Sequence, residues 1–259
     1  DTTYGAAPPT LGAVASSGLA VSYTASGPCA VSATTLSISG AGLCTATAHQ
    51  AGGANYLAAP DAARSFTVTP ATLTVTADNQ SIHFGAPIPT LTYTPSGFVN
   101  GDTASVLSGA PTLSTAATSA SPPGPYTISV SQGTLSATSY TFSFQAGTLT
   151  ISKADQAITF GRPSGTPSFT YLTDAGFTVG ATASSGLPVS FGAAPSGVCT
   201  VSGTTVSIVG AGSCAVTASQ GGNAGYNAAM DVARSFTVSP ASQTITFPAL
   251  GNTTYGGAA

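Results

Sequence analysis

The chain has 259 residues, of which only 4% are charged, whereas soluble proteins average about 25%. Its net charge of −3 and its four Lys or Arg residues provide no basic patch, so we expect no nucleic-acid partner. The 42% hydrophobic content argues against disorder. No apolar run approaches the roughly 18 residues of a transmembrane helix, so we expect no membrane insertion.

Strand-like patterns begin after the N-terminal stretch 1–12, for which we predict no strand. Apolar and hydroxyl residues then alternate at 21–23, 36–38 and 66–68. Alternation with a period of two, interrupted by Gly, Pro, Ser and Asn, is typical of half-buried antiparallel strands. Because no segment shows a convincing helical period, the pattern predicts an all-β fold.

The middle of the chain continues this pattern but contains no cysteine. We predict short strands there at 73–76, 90–93, 126–130, 140–144 and 148–151. Between them, Asp102 is expected to cap a short helical turn over residues 103–107, because a carboxylate oxygen can accept from the free N–H groups at the start of a helix.

The last third of the chain contains a second copy of the first stretch, since residues 184–238 repeat the pattern of residues 16–68. Predicted strands here are 156–160, 177–183, 187–191, 198–201, 204–209, 213–219 and 233–239. Short strands separated by turn residues suit an immunoglobulin-like sandwich. We therefore predict two sandwiches of this type, one on each side of the middle stretch.

The cysteines occupy equivalent positions in the two copies, as Cys29 with Cys44 and Cys199 with Cys214. Repetition at one spacing favours two disulfides, which would place the chain in an oxidising, extracellular compartment; two pairs of buried reduced cysteines are the alternative. In a simple three-stranded meander the cysteines would lie about 9.5 Å apart, too far for a disulfide. Residues 204–209 are therefore expected to cross to the opposite sheet.

The C-terminal tail repeats the start of the third stretch. The sequence Gln-Ala-Ile-Thr-Phe at 156–160 returns with one change, and residues 253–256 repeat residues 2–5. The repeated tail residues are Gln243, Thr244, Ile245, Thr246 and Phe247. Two hypotheses explain the repeat: the chain is one period of a longer tandem array, or the tail of one subunit enters the first sandwich of a neighbour by strand addition. Both predict an open edge in the first sandwich, which lacks this strand.

The middle stretch resembles the MBG modules of the YGX type, which occur in very large bacterial surface proteins. The similarity rests on Leu-Thr-Val-Thr-Ala-Asp-Asn at 73–79, Ser-Gly-Phe-Val-Asn-Gly-Asp at 96–102 and segments at 89–93 and 147–151. Phe84 and Gly85 stand where the family has Tyr-Gly. The flanking stretches resemble the bacterial immunoglobulin-like repeats that alternate with MBG modules, through the cysteine pair and the motifs at 183–191 and 226–229.

This resemblance implies an extracellular stalk, adhesin or filament without enzymatic activity, and it transfers no binding residues. The residues indicate the same, because His49 and His83 show no pattern of a catalytic triad and no clustered Asp loop for calcium is present. We therefore expect no catalytic residues, no cofactor and no metal ligands. A weak calcium site that uses Asp78 or Asp155 is the alternative.

Two residue types recur at equivalent places without an obvious chemistry. Tyr56 and Tyr226 follow Gly-rich runs, and we predict that each pins a long hairpin loop onto its sandwich; an exposed aromatic ring for sugar stacking is the alternative. Arg64 and Arg234 precede the last strand of each copy, and we expect each to pair with the aspartate three residues earlier.

Together the patterns predict an elongated all-β chain of tandem immunoglobulin-like sandwiches around a central MBG-type module. The predicted domains are 1–70, which lacks its first strand, then 71–153, 154–240, and 241–259 as the first strand of a following or neighbouring unit. The predicted function is a rigid, disulfide-bonded spacer in an extracellular bacterial fibre or adhesin stalk, whose partners are neighbouring repeats or subunits. The alternative is an adhesin module that binds a carbohydrate or another surface.

Overall fold

The structure is a computed structural model that describes residues 1–161, 168–174, 176–252 and 255–256. The described residues form β-strands and, as the one helical element among them, a 3-10 turn at Ala104–Val106. The chain divides into two compact units, Asp1–Ser152 and Lys153–Ala259, called unit 1 and unit 2 below. The predicted all-β fold is confirmed, whereas the elongated shape stays a prediction.

Unit 1 consists of short strands along which apolar side chains alternate with Ser and Thr, so that one face of each strand is buried. In chain order they are β1 (Thr2–Thr3), β2 (Ser22–Ser26), β3 (Cys29–Ser32), β4 (Thr35–Ile38), β5 (Gly42–Gln50), β6 (Ala59–Thr69), β7 (Ala71–Ala77), β8 (Gln80–His83), β9 (Tyr93–Ser96), β10 (Thr112–Thr115), β11 (Gly124–Ser131), β12 (Tyr140–Gln145) and β13 (Gly147–Ser152).

The first six strands form a sheet in the order β1-β6-β5-β2 and a separate hairpin of β3 and β4. β1 runs parallel to β6, with Thr2 opposite Val68, so the expectation of no strand in residues 1–12 is wrong. The cause is tertiary. The edge of β6 offers unpaired backbone groups to Thr2 and Thr3, and the next residue, Tyr4, is buried and donates its N–H to Thr69 O at 2.8 Å. A strand of two residues is too short to show a period.

Strands β7 to β13 form two sheets, in the orders β10-β11-β13-β8 and β12-β7-β9. Two pairings are parallel, β7 with β12 and β8 with β13, and Ile128 and Leu149 are fully buried. The strand predicted at 90–93 is misplaced, because β9 begins at Tyr93. Strands β8 and β10 were not predicted, since each carries only one strongly apolar side chain and pairs with strands distant in sequence.

One hydrophobic cluster joins the two parts of unit 1. It combines Tyr4, Leu36 and Val68 with Leu73 and Tyr140. The rings of Tyr4 and Tyr140 meet edge to face with their centroids 5.6 Å apart, a favourable geometry for aromatic pairs. The stretches 1–70 and 71–152 therefore pack into one compact unit, and the finer domain boundary at residue 70 stays a prediction.

Asp102 lies between these two tyrosines. Its Oδ2 accepts from the Tyr140 hydroxyl at 2.7 Å and from the Tyr4 hydroxyl at 3.1 Å. The prediction that Asp102 caps the helical turn is wrong: Thr103 is the cap, and its side chain accepts from the N–H of Ser105. The buried hydroxyls need an acceptor, and the carboxylate supplies it. Burial raises the pKa of the Tyr140 hydroxyl above its usual value, and the neighbouring Asp102 adds to the rise.

The Tyr140→Phe variant is expected to lose about 1–3 kcal/mol of stability at neutral pH, because it removes the hydroxyl that binds both Asp102 and the Val99 backbone. The folded chain holds this proton more tightly than the unfolded chain. The stabilisation is therefore fully present below about pH 10 and is lost as the pH rises through the raised pKa. Urea unfolding at pH 7 and pH 10.5 should show a smaller alkaline loss in Tyr140→Phe than in the wild type.

Tyr126→Phe is the matched control, because its exposed hydroxyl makes one hydrogen bond, to Pro122 O at 2.8 Å. We expect it to cost less than about 1 kcal/mol. Equal losses in the two variants at pH 7, or the same alkaline loss in Tyr140→Phe as in the wild type, would contradict the role assigned to the buried pair of tyrosines.

Unit 2 repeats the sheet arrangement of the first half of unit 1. Its strands are β14 (Ile158–Phe160), β15 (Ser168–Thr170), β16 (Phe177–Thr178), β17 (Ala181–Ala183), β18 (Ser190–Ala194), β19 (Cys199–Ser202), β20 (Thr205–Ile208), β21 (Gly212–Ser219) and β22 (Val232–Ser239). They form sheets β15-β22-β21-β18, β16-β20-β19 and β14-β17. The strand predicted at 177–183 is two strands, which pair in different sheets on either side of Gly180.

Both disulfides are present, with Cα–Cα distances of 5.8 Å for Cys29–Cys44 and 6.0 Å for Cys199–Cys214. The expected crossing of residues 204–209 is only partly right. β20 lies in a different sheet from Cys214, but it forms a hairpin with β19, which carries Cys199. Ser202 pairs with Thr205 across a two-residue turn, and turns of this length join neighbouring strands of one sheet. Each disulfide therefore joins two sheets of its sandwich.

Candidate functional site

The segment 156–160, which the tail repeats, is a core element of unit 2. β14 pairs antiparallel with β17, and Ile158 lies opposite Ala183 while Phe160 lies opposite Ala181. Ile158 and Phe160 are 9% and 3% exposed and belong to the hydrophobic cluster of the unit. The Phe160 ring contacts that of Phe191, with 5.5 Å between centroids. This strand thus supplies two of the core side chains of the sandwich.

Polar contacts hold the same segment at both ends. At its start, the Gln156 side chain binds the side chains of Gln220 and Ser185. At its end, Arg234 Nε donates to the carbonyl oxygen of Phe160 at 3.1 Å. Just before it, Ala154 exchanges backbone hydrogen bonds with the loop that contains Tyr226. The position and the direction of the strand are therefore defined by backbone, apolar and polar contacts together.

In unit 1, the residues equivalent to those around β14 in unit 2 line a cavity of about 380 Å³. We call it the open cleft, and its main lining residues are Leu11, Ala13, Tyr23, Ala46, Arg64 and Phe66. A smaller cavity of about 90 Å³ adjoins it along Ala13, Val14 and Ala15. By alignment of the two copies, this is the space that β14 fills in unit 2. The open edge predicted for the first sandwich corresponds to this cleft.

Two apolar residues at the open cleft are more exposed than their counterparts in unit 2. Ala48 is half-buried, whereas the equivalent Ala218 is fully buried, and Phe66 is half-buried where Phe236 is buried. Val14, on the edge of the cleft, is 92% exposed. Among the described residues none hydrogen-bonds to the backbone of Val14 or Ser16. An unpaired edge with an apolar floor is a template for another strand.

Tyr56 does not anchor its loop as predicted. Its side chain is 55% exposed, and the loop closes on itself through backbone hydrogen bonds between Tyr56 and Gly53. In unit 2 the equivalent Tyr226 forms a bridge with Ala154. The loop of Tyr226 also has a backbone hydrogen bond of its own, from Asn223 N–H to Tyr226 O at 3.1 Å, and it contacts the segment before Gln156 in addition.

The predicted tail residues Gln243, Thr244, Ile245, Thr246 and Phe247 form no regular element in the structure. Ile245 is 93% exposed and Phe247 is 76% exposed. The tail therefore exposes two large apolar side chains whose counterparts in β14 are buried. The neighbouring repeat at 253–256 begins with Thr253 and Thr254, which lie outside the described residues.

The charged residues at the cleft do not pair as expected. Arg64 Nη1 donates to the carbonyl of Ala63, and Asp61 lies 2.7 Å from His49, so the predicted pairing of Arg64 with Asp61 is wrong. The predicted pairing of Arg234 with the aspartate three residues earlier is also wrong, because Arg234 donates to the backbone carbonyls of Phe160 and Ala233. Residues three apart in a strand point to opposite faces, which is why Asp61 and Arg64 on β6 do not meet.

Three polar side chains lie in a row across the sheet of unit 1, and the sequence analysis did not predict their contacts. His49 Nε2 is 2.8 Å from Thr24 Oγ1 and its Nδ1 is 2.7 Å from Asp61. The three residues come from β2, β5 and β6, so no sequence spacing could have indicated the contact. The row lies on an exposed sheet face, and we assign to it only the stabilisation of neighbouring strands.

The two aspartates of the calcium alternative each accept a hydrogen bond from a neighbouring side chain. Asp78 accepts from Thr94 Oγ1 at 2.7 Å, and hydrogen bonds from Thr92 and Thr94 lower the pKa of Asp78. Asp155 accepts from the Asn227 amide at 2.7 Å. Within the described ranges, no three His, Cys, Asp or Glu side chains lie together as metal ligands. The same part of the chain contains no helix long and apolar enough to cross a membrane.

Comparisons with known proteins give a family match in the middle of the chain. No curated protein matches the sequence. A structure of domains 1–6 of the surface layer protein SbsC is 15% identical, with a TM-score of 0.25; the match covers 90% of this chain and 37% of that one. The EC1-3 structure of Drosophila N-cadherin is 10% identical, with a TM-score of 0.24, and the match covers 85% and 89% of the two chains. At these scores neither structure establishes a shared fold. Residues 73–150 match the family described as MBG domain (YGX type).

Proposed function

We propose that this chain is a structural repeat segment of an extracellular fibre or adhesin stalk, in which the β-units are rigid spacers and successive copies join through residues 241–259. One observation carries the proposal. The exposed tail repeats the sequence of a core strand of unit 2, and unit 1 has an open cleft where that strand would lie. In strand addition, one unit has an unpaired sheet edge and a segment of another chain supplies the strand that pairs with it.

Composition and covalent structure support the mechanical role. Each of the two related sandwiches has a disulfide between its sheets, and disulfides persist in oxidising extracellular compartments. Only 4% of the residues are charged, so the fold depends little on ion pairs that salt would screen. The MBG-type match at 73–150 supports a place in a surface protein. The proposal includes no enzymatic activity, no cofactor, no nucleic acid and no membrane insertion.

Association of the full chain through its tail is the first test. Ile245→Asp is expected to abolish concentration-dependent association, because it puts a charge at a position equivalent to the buried Ile158. Thr246→Asp is the matched control. It adds the same charge one residue further on, at a position equivalent to Thr159, which is exposed in the paired strand of unit 2. Sedimentation velocity over a concentration series distinguishes the two variants.

The wild type and Thr246→Asp should form dimers and longer oligomers, and Ile245→Asp should stay monomeric. A loss of association from the charge at one tail position but not from the same charge at the next is expected only if the tail pairs as a strand with one buried face. If the wild type stays monomeric at every concentration, or if both variants associate like the wild type, the tail does not join copies and the proposal is wrong.

A further inference from the structure

We infer that the acceptor of the tail is the open cleft of unit 1 in a second copy of this chain, and that residues 243–247 bind there in one defined antiparallel register. The inference rests on the proposed function and adds the site, the register and the polar residues that select the strand. Unit 2 provides the template, because it holds residues 156–160 in the equivalent place.

The backbone determines the register. In unit 2 Ser184 N–H donates to Ala157 O at 2.9 Å, and Thr159 pairs with Thr182. By alignment of the two copies and of the two strand sequences, Thr244 would then bind Ser16 and Thr246 would lie opposite Val14. The backbone groups of Val14 and Ser16 make no hydrogen bond with any described residue, so the edge is available to a strand.

The apolar side chains match the floor of the cleft. In this register Ile245 and Phe247 face inward, as Ile158 and Phe160 do in unit 2. Phe247 would meet the ring of Tyr23, which stands where Phe191 contacts Phe160. Thr244 and Thr246 would face solvent. Burying the two apolar side chains removes exposed hydrophobic surface from both copies, which favours association.

Polar residues at the two ends distinguish this strand from other apolar segments. Gln50 and Ser17 are oriented as Gln220 and Ser185 are, because Gln50 accepts from Gly52 N–H at 2.7 Å and Ser17 accepts from Leu19 N–H at 3.3 Å. They would bind Gln243. At the other end Arg64 is equivalent to Arg234 and would donate to the carbonyl of Phe247. A glutamine four residues before the carbonyl that the arginine binds thus selects both the sequence and the direction of the strand.

A disulfide trap between two chains tests the register. The acceptor chain carries Val14→Cys together with Ile245→Asp, so that its own tail cannot bind. The donor chain carries Thr246→Cys. Directly opposed residues of an antiparallel pair have Cα atoms about 5.5 Å apart, within disulfide range. Mild oxidation of the mixture should therefore give a covalent heterodimer, which non-reducing gels and mass spectrometry of the linked peptide identify.

The donor with Thr244→Cys in place of Thr246→Cys is the control, because two residues of displacement carry the thiol out of disulfide range. We expect it to cross-link to the same acceptor at least about tenfold less. If tail-dependent association occurs but the two donors cross-link equally, or if neither cross-links, the register or the site is wrong while the proposed function stands. If Ile245→Asp has no effect on association, both this inference and the proposed function are wrong.

Arg64→Gln tests the polar end of the site. It should weaken tail-dependent association about tenfold, the effect of losing one charge-assisted hydrogen bond, and circular dichroism and thermal unfolding of the free chain should not change. In the free chain the Arg64 side chain is exposed and its Nη1 binds only the neighbouring Ala63 carbonyl among the described residues, so little stability depends on it. Unaltered association of Arg64→Gln would remove Arg64 from the site.

Discussion

Phe160→Ala is expected to destabilise unit 2 by about 3–5 kcal/mol, the range for truncating a buried phenylalanine. Phe160 is 3% exposed and belongs to a cluster with Val206, Val216 and Phe236, so its removal leaves a cavity that these neighbours cannot fill. β14 has only three residues, and its pairing with β17 depends on the two core side chains that it carries. The loss should appear in guanidinium unfolding of the full chain and in faster amide hydrogen exchange of β14, β17 and β21.

Phe247→Ala is the matched control for this prediction. It makes the same substitution in the repeated sequence Gln-Thr-Ile-Thr-Phe, but at a side chain that is 76% exposed. At concentrations where the chain is monomeric, we expect its free energy of unfolding to lie within about 0.5 kcal/mol of the wild type. If the two variants lose equal stability, Phe160 is not a core residue, and unit 2 is no template for the open cleft.

Replacing Cys199 and Cys214 together by alanine should lower the free energy of unfolding of unit 2 by about 3 kcal/mol. The disulfide closes a loop with a sequence separation of 15, and both cysteines are fully buried. Because the bond joins β19 and β21 in different sheets, its loss should increase hydrogen exchange in both sheets. Alanine is preferred to serine, because a buried hydroxyl without a partner would add its own cost.

The Cys29→Ala, Cys44→Ala variant provides the comparison, since its disulfide also has a sequence separation of 15. A loss of similar size is expected, with the increase in hydrogen exchange confined to unit 1. An unfolding midpoint identical to that of the wild type in either variant, measured without reductant, would show that the disulfides do not stabilise the sandwiches. The mechanical part of the proposed function would then lose its main support.

The candidate site was predictable in part, because it depends on a repeat that is visible in the sequence. The match between residues 156–160 and the tail indicated a missing strand in the first sandwich and a spare one at the end. Which residues would receive that strand was not predictable. Val14, Tyr23 and Arg64 come from separate segments, and their common position at one cleft follows from the pairing of β2, β5 and β6.

Wrong predictions arose where a contact over a long sequence distance prevailed over a local pattern. Asp102 has the residue type and position of a helix cap, yet its carboxylate binds two buried tyrosine hydroxyls, which come from residues 4 and 140. Thr103, one residue later, caps the turn instead. Arg64 was paired with Asp61 by proximity in the chain, although the alternation of a strand separates their side chains.

The sequence by itself determined the all-β class, the repetition of one sandwich pattern, the cysteine pairs and the duplicated strand. These features depend on local alternation and on comparison of one part of the chain with another. Only the tertiary structure decided which sheet each strand joins, how Cys199 and Cys214 connect two sheets, and that an apolar cleft remains where the first sandwich lacks a strand. The physical reason is that strand pairing and core packing join residues distant in sequence, and the hydrogen-bonding capacity of a strand does not specify its partner.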